Sequence, residues 1–127
     1  MNKIILKTPS APKAIGAYSQ AIEINDFIFT SGQVGLDLDT GELVGGGIQE
    51  QTKQILKNIH AMLLDVELDK NNIIKLTVFL IDLKQFSIVN DCFKIFFIDN
   101  KFPVRTTVEV SKLPLDALVE IECIAHR

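Results

Sequence analysis

One arginine and two glutamates in the last quarter of the sequence have the types and spacing to act on a small organic acid. Residues 102–122 read Phe-Pro-Val-Arg-Thr-Thr-Val-Glu-Val, then Ser-Lys-Leu-Pro-Leu-Asp-Ala-Leu, then Val-Glu-Ile-Glu. Two β-patterned runs flank a short loop that holds Pro114 and Asp116. Side chains alternate along a strand, so Arg105, Thr107 and Glu109 share one face of the first run. Glu120 and Glu122 share a face of the second. Antiparallel pairing across the loop would set Arg105 opposite or diagonal to these glutamates, within reach of long side chains. A guanidinium grips a carboxylate through two parallel hydrogen bonds, and a nearby acid holds or deprotonates a water. The same pair on a plain surface is an ion pair worth little. Pattern alone favours that plainer reading.

The elements that must position these groups follow from hydrophobic period and punctuation. Lys3 to Leu6 is a short apolar run and an expected edge strand. Residues 8–20 contain Pro9, Pro12 and Gly16 and form a loop. Ala21 to Ile24 and Phe27 to Ser31 are β-rich and separated by Asn25-Asp26, a two-residue hairpin signal. The run Gly45-Gly46-Gly47 is neither a dinucleotide fingerprint nor a P-loop, because no Lys-Ser/Thr follows it. From Ile48 to about Val66 the apolar residues Ile55, Leu56, Ile59, Met62 and Leu63 recur at three and four, which predicts a helix. His60 lies beside this stripe with no ligand-type residue at metal spacing and reads as a solvated or capped side chain. Ile73 to Ile81 is nearly continuous apolar sequence and predicts a central strand. Asp82 then caps a second helix, roughly Lys84 to Ile98, with Phe86, Val89, Phe93, Phe96 and Phe97 as its buried stripe. Asn90 falls on the edge of that stripe, where a structural hydrogen bond is the ordinary account.

This order of strands and helices predicts an α+β domain with two helices on one face of a mixed sheet. The opposite face has apolar residues of its own, such as Phe27, Phe29 and Val108, so self-association is expected to cover it. The 127 residues suffice for one domain, 1–127, with 47% hydrophobic and 23% charged residues. A net charge of −3 and a pI near 5.3 give no general attraction to phosphate backbones, which disfavours nucleic-acid binding. The N-terminal apolar run is too short for a signal peptide, and no stretch approaches the ~20 apolar residues of a membrane span. Cys92 and Cys123 read as reduced core residues of a cytoplasmic protein. No metal-ligand cluster is evident, and no metal or cofactor is expected.

Resemblance sharpens the functional reading. Pro-Val-Arg-Thr-Thr-Val-Glu-Val-Ser-Lys-Leu followed by Val-Glu-Ile-Glu resembles the C-terminal signature of the RidA (YjgF) family, the enamine/imine deaminases. Ile15-Gly16-Ala17-Tyr18-Ser19-Gln20-Ala21 is similar to the family's N-terminal motif, with Ala17 where proline is usual. Thr30-Ser31-Gly32-Gln33 resembles its Thr-Ser-Gly-Gln, and Asn90 matches the Val-Asn of its second helix. The resemblance covers nearly the whole chain. It implies a chorismate-mutase-like protomer, a homotrimer with clefts between subunits, and no cofactor. The implied reaction hydrolyses 2-iminobutanoate and 2-iminopropanoate to 2-oxo acids and ammonia. Arg105 would hold the substrate carboxylate and Glu120 the attacking water. Tyr18, Ser31, Gly32, Asn90 and Thr107 would line the cleft.

Two positions depart from the family. Thr107 stands where many members have cysteine, and Glu67 stands where glycine commonly ends the first helix. A nucleophilic thiol at position 107 would make this chain inactive, whereas a role for the backbone N–H leaves threonine equivalent; the second is expected. Two other functions remain. A carboxylate-binding regulatory trimer would need Arg105 but no water-handling acid. An endoribonuclease or translation inhibitor, a label some relatives carry, would want a basic stripe or a histidine pair, and the sequence has neither.

Overall fold

The computed structural model describes residues 2–127. Six strands form one sheet: β1 (Ile4–Leu6), β2 (Ala21–Ile24), β3 (Phe27–Thr30), β4 (Ile73–Leu80), β5 (Val104–Glu109) and β6 (Val119–His126). Two helices, α1 (Gly47–Leu64) and α2 (Phe86–Phe96), accompany it. The spatial order is β1-β2-β3-β6-β4-β5. All neighbours are antiparallel except β4 and β5, which are parallel. The fold is therefore α+β, as the sequence predicts.

Local chemistry accounts for the elements. β2 and β3 are joined by Asn25 and Asp26, both with positive φ (50° and 66°). That is the backbone of a tight hairpin turn matched to strand twist. Ile48, Ile55, Leu56, Ile59, Met62 and Leu63 of α1 are buried at the spacing expected of one helix face. The helix ends with Leu68 N–H donating to the Leu63 carbonyl and Glu67 N–H to that of Leu64. Glu67 takes φ 64°, the left-handed conformation usual for glycine at such a cap. The cap thus forms without glycine, at a backbone cost of about 1 kcal/mol.

The core lies between α1, α2 and one sheet face. Ile28, Leu76, Val78, Leu80, Val119, Ile121, Cys123 and Ala125 point inward from the strands and are fully or nearly fully buried. Cys92 and Cys123 are buried and free. The other sheet face carries Phe27, Phe29 and Val108, each at least 37% exposed. No described helix is long and apolar enough to cross a membrane.

One expectation is overturned. The runs around Arg105 and Glu120 do not pair with each other. β4, α2 and β5 form a strand–helix–strand crossover, which brings β5 parallel to β4 on its outer edge. Residues 110–118 then carry the chain past β4, so β6 pairs on the other edge of β4 and against β3. Arg105 is in register with Leu76, and Leu76 with Cys123. Glu120 is in register with Phe79, and Phe79 with Val108. Neighbours across a sheet share a face. Arg105 therefore faces the helices and Glu120 the opposite side, not opposite or diagonal to one another.

Candidate active site

The site residues named from sequence gather in two groups, one on each face of the sheet. The first is built by β5 and α2. Phe86, Asn90 and Phe93 recur at four and three, so they line one side of α2 and meet the inward face of β5. Arg105 Nη1 donates to Asn90 Oδ1 at 2.6 Å. The guanidinium carbon sits 4.8 Å from the Phe86 ring centre and 5.3 Å from that of Phe93. These contacts hold the cation by one hydrogen bond and two ring faces. No carboxylate of a described residue lies within ion-pair distance of Arg105. Burial pulls its pKa below the usual arginine value, yet a guanidinium stays charged. A groove of about 350 Å³ opens beside it, lined by Asn90, Phe93, Lys94, Phe102, Pro103 and Arg105.

Thr107 follows two residues along the same face. Its Oγ1 is buried and has no hydrogen-bond partner among the described residues. Its backbone matters more. Val110 N–H donates to the Leu80 carbonyl, so even-numbered residues here bond toward β4. In a parallel ladder the alternate residues turn their N–H and C=O groups the other way. Arg105, Thr107 and Glu109 thus present main-chain donors to an open sheet edge. Glu109 is engaged elsewhere, its Oε1 accepting from Leu83 N–H at 2.9 Å.

The second group surrounds Glu120 on the outer face. A cavity of about 50 Å³ lies between this carboxylate, Gly32, Pro12, Ile15 and Tyr18. Gly32 lies two residues past the end of β3, and a Cβ there would come within 2.8 Å of the Glu120 carboxyl carbon. Any larger residue would displace the acid. Burial raises the Glu120 pKa above the ordinary glutamate value, with a further push from the charge of Glu122. Its carboxylate accepts no hydrogen bond from a described residue. Tyr18 is half-exposed, and its hydroxyl accepts from Ile15 N–H at 3.2 Å. Ser31 is committed to the fold: its N–H donates to the Gln20 carbonyl and its Oγ to that of Ser19.

Arg105, Asn90 and Thr107 thus come together, as do Tyr18, Gly32 and Glu120, with Ser31 next to Gly32 in the chain but outside the cavity lining, and the sheet separates the two groups within one protomer. Sequence reasoning gave no site role to Phe86 and Phe93. Their spacing with Asn90 was readable, but aromatic residues at helical spacing ordinarily fill cores. Among the described residues no cluster of histidine, cysteine and acidic side chains is arranged to hold a metal.

Residues 8–127 match the family model described as Endoribonuclease L-PSP. A RutC family protein from Pyrococcus abyssi is 46% identical over 127 residues, covering 100% of this chain and 99% of that protein. The mouse 2-iminobutanoate/2-iminopropanoate deaminase is 45% identical over 121 residues, covering 95% of this chain and 89% of that enzyme. Among solved structures, Escherichia coli TdcF with bound serine superposes with a TM-score of 0.91 at 39% identity, covering 98% of each chain.

Proposed function

The chain belongs to the endoribonuclease L-PSP family, the Rid proteins, and from that premise we propose that it hydrolyses 2-imino acids such as 2-iminobutanoate and 2-iminopropanoate to 2-oxo acids and ammonia. The cleft is composite: Arg105 of one protomer faces Glu120 of the next in a homotrimer. The observation that carries this reading is the state of Arg105. A guanidinium fixed by Asn90, Phe86 and Phe93 but lacking a carboxylate partner is a preset receptor for one. The mouse relative's name supplies the substrate class, and serine bound to TdcF is a molecule with the same carboxylate.

The chemistry asks for little beyond positioning. Arg105 and the outward N–H of Thr107 hold the substrate carboxylate. A water beside Glu120 attacks the electrophilic imine carbon, and Glu120 takes its proton. The same carboxyl returns that proton to the nitrogen of the resulting carbinolamine. The substrate enters as the protonated imine, so this nitrogen is now an ammonium; the C–N bond breaks as the remaining hydroxyl proton passes to Glu120, and ammonia leaves as the 2-oxo acid forms. The raised pKa of Glu120 suits a group that must both accept and return a proton near neutrality. Uncovered apolar residues on the outer face, Phe27, Phe29 and Val108, supply surface for the trimer contact.

The test supplies 2-iminobutanoate from a threonine dehydratase and follows 2-oxobutanoate release. Added protein should accelerate release, and Arg105→Lys should lose about 10²-fold or more, because an ammonium cannot reproduce the bidentate grip. Full activity in that variant would remove the carboxylate clamp.

A further inference from the structure

The wall around Glu120 is a loop with almost no main-chain support of its own. Residues 8–15 make no backbone-to-backbone hydrogen bond with any described residue. One buried side chain supplies most of what is missing, beside Ser10 N–H donating to the Thr8 hydroxyl and Ile15 N–H to that of Tyr18. Gln20, 4% exposed, lies immediately before β2. Its Oε1 accepts from Thr8 N–H at 2.7 Å. Its Nε2 lies 3.1 Å from the Thr8 carbonyl, 3.3 Å from that of Ala11 and 2.9 Å from that of Pro12. Two amide hydrogens thus serve three carbonyls, one of them shared. The main-chain carbonyl of Gln20 accepts from Ser31 N–H, next to the Gly32 that touches Glu120. At the loop's start, the Thr8 hydroxyl bonds Asp65 at the end of α1. Pro12, Lys13, Ala14, Ile15 and Tyr18 then close over the Glu120 carboxylate.

We propose that Gln20 is a positioning residue, whose side-chain amide fixes the loop that walls Glu120 and so sets how dry and how well placed that carboxylate is. No other side chain type fits the task. Asparagine is one methylene short, glutamate would set acceptors against carbonyls, and methionine fills the space but leaves four main-chain groups unpaired. The role in catalysis rests on the reading of Glu120 as the group that handles the water; the role in building the cavity does not.

The experiment compares the full chain with Gln20→Met and Gln20→Glu by three measurements. Carboxyl ¹³C NMR titration of Glu120 in Gln20→Met should show its midpoint falling toward the ordinary value of 4.5 as the wall opens. Lys13 lines the same cavity and Glu122 lies two residues along the strand; both are unchanged, and Gln20→Met adds no charge, so the shift in that variant reports the wall. Native-state tryptic cleavage after Lys13 should quicken about tenfold or more. Turnover of 2-iminobutanoate should lose about tenfold or more in kcat with a smaller change in KM, because Arg105 still holds the carboxylate. A folded variant with unaltered titration and cleavage overturns the proposal, and so does lost turnover with an unmoved Glu120 midpoint. Should both variants fail to fold, hydrogen exchange on the native protein decides: the Gln20 side-chain amide should exchange in step with Ile15 N–H, and uncoupled exchange rejects the tie. A native protein with no turnover but with shifted titration in the variants rejects the deaminase reading alone.

Discussion

Arg105 sits on a sheet face crowded by a helix, whereas Glu120 sits on a face that no helix of its own chain covers. The cation is held by Asn90, Phe86 and Phe93, all from α2, and its position is settled before any partner arrives. The acid is confined by a loop and by a glycine that leaves it room. Burial moves both groups toward neutrality, lowering the arginine pKa and raising that of the glutamate. Each half therefore carries an unmet electrostatic demand, one for an anion and one for a proton. The sheet between them prevents one substrate from satisfying both within a single protomer. On the proposed reading, the difference teaches a division of labour: the half held by α2 would bind, the half walled by a loop would do chemistry, and a second copy would complete the site.

The strongest way to break that comparison is to separate the halves genetically. Arg105→Ala and Glu120→Gln proteins, each slowed about 10²-fold or more alone, should recover activity when unfolded and refolded together. Random assembly would leave about a quarter of the clefts with both native groups. Verified mixed assemblies with no activity would return the site to a single protomer. Next in size, Glu120→Gln should cost about 10²–10³ in kcat while 2-oxobutanoate still binds. The acid limb of the native rate profile should lie above the ordinary glutamate range and vanish in this variant. The stability sign follows from the raised pKa. The fold disfavours the charged form, so stability is fullest below the unfolded value of 4.5 and is lost as pH rises through the folded value. Glu120→Gln should therefore raise Tm at pH 8 and leave it unchanged at pH 4.

Smaller effects sharpen the binding half. Asn90→Ala removes one charge-assisted hydrogen bond to Arg105 and should reduce kcat/KM about tenfold, mainly through KM. Thr107→Val removes a buried hydroxyl that has no partner among the described residues. It should alter turnover less than about threefold and raise Tm slightly, since an unpaired buried hydroxyl costs about 1–3 kcal/mol. A large loss of rate in Thr107→Val would give that side chain a chemical role and move it from the wall into the reaction.

Much of this arrangement was legible in the sequence, for identifiable reasons. The three-and-four spacing of α1 and the Asn25-Asp26 turn are local signals, and both stand as read. The membership of each cluster was readable from motifs. Which strands pair was not. Alternation says which residues share a face of one strand, but it does not name the neighbour, and the runs around Arg105 and Glu120 satisfy their own patterns beside β4 equally well. That single misplacement put the guanidinium and the acid side by side when they lie on opposite faces. The aromatic cradle escaped notice because its meaning depends on β5 being parallel to β4. Gln20 escaped because side-chain bonds to an irregular loop leave no period to detect.

The strand order has a consequence for biosynthesis. β6 is the latest of the six strands in the chain, yet it sits between β3 and β4 near the middle of the sheet. Until the ribosome releases it, β3 and β4 each expose an unpaired edge. The nascent polypeptide should therefore remain open until translation has nearly finished, and a stop codon before Val119 would yield two sticky fragments of sheet rather than a smaller functional protein.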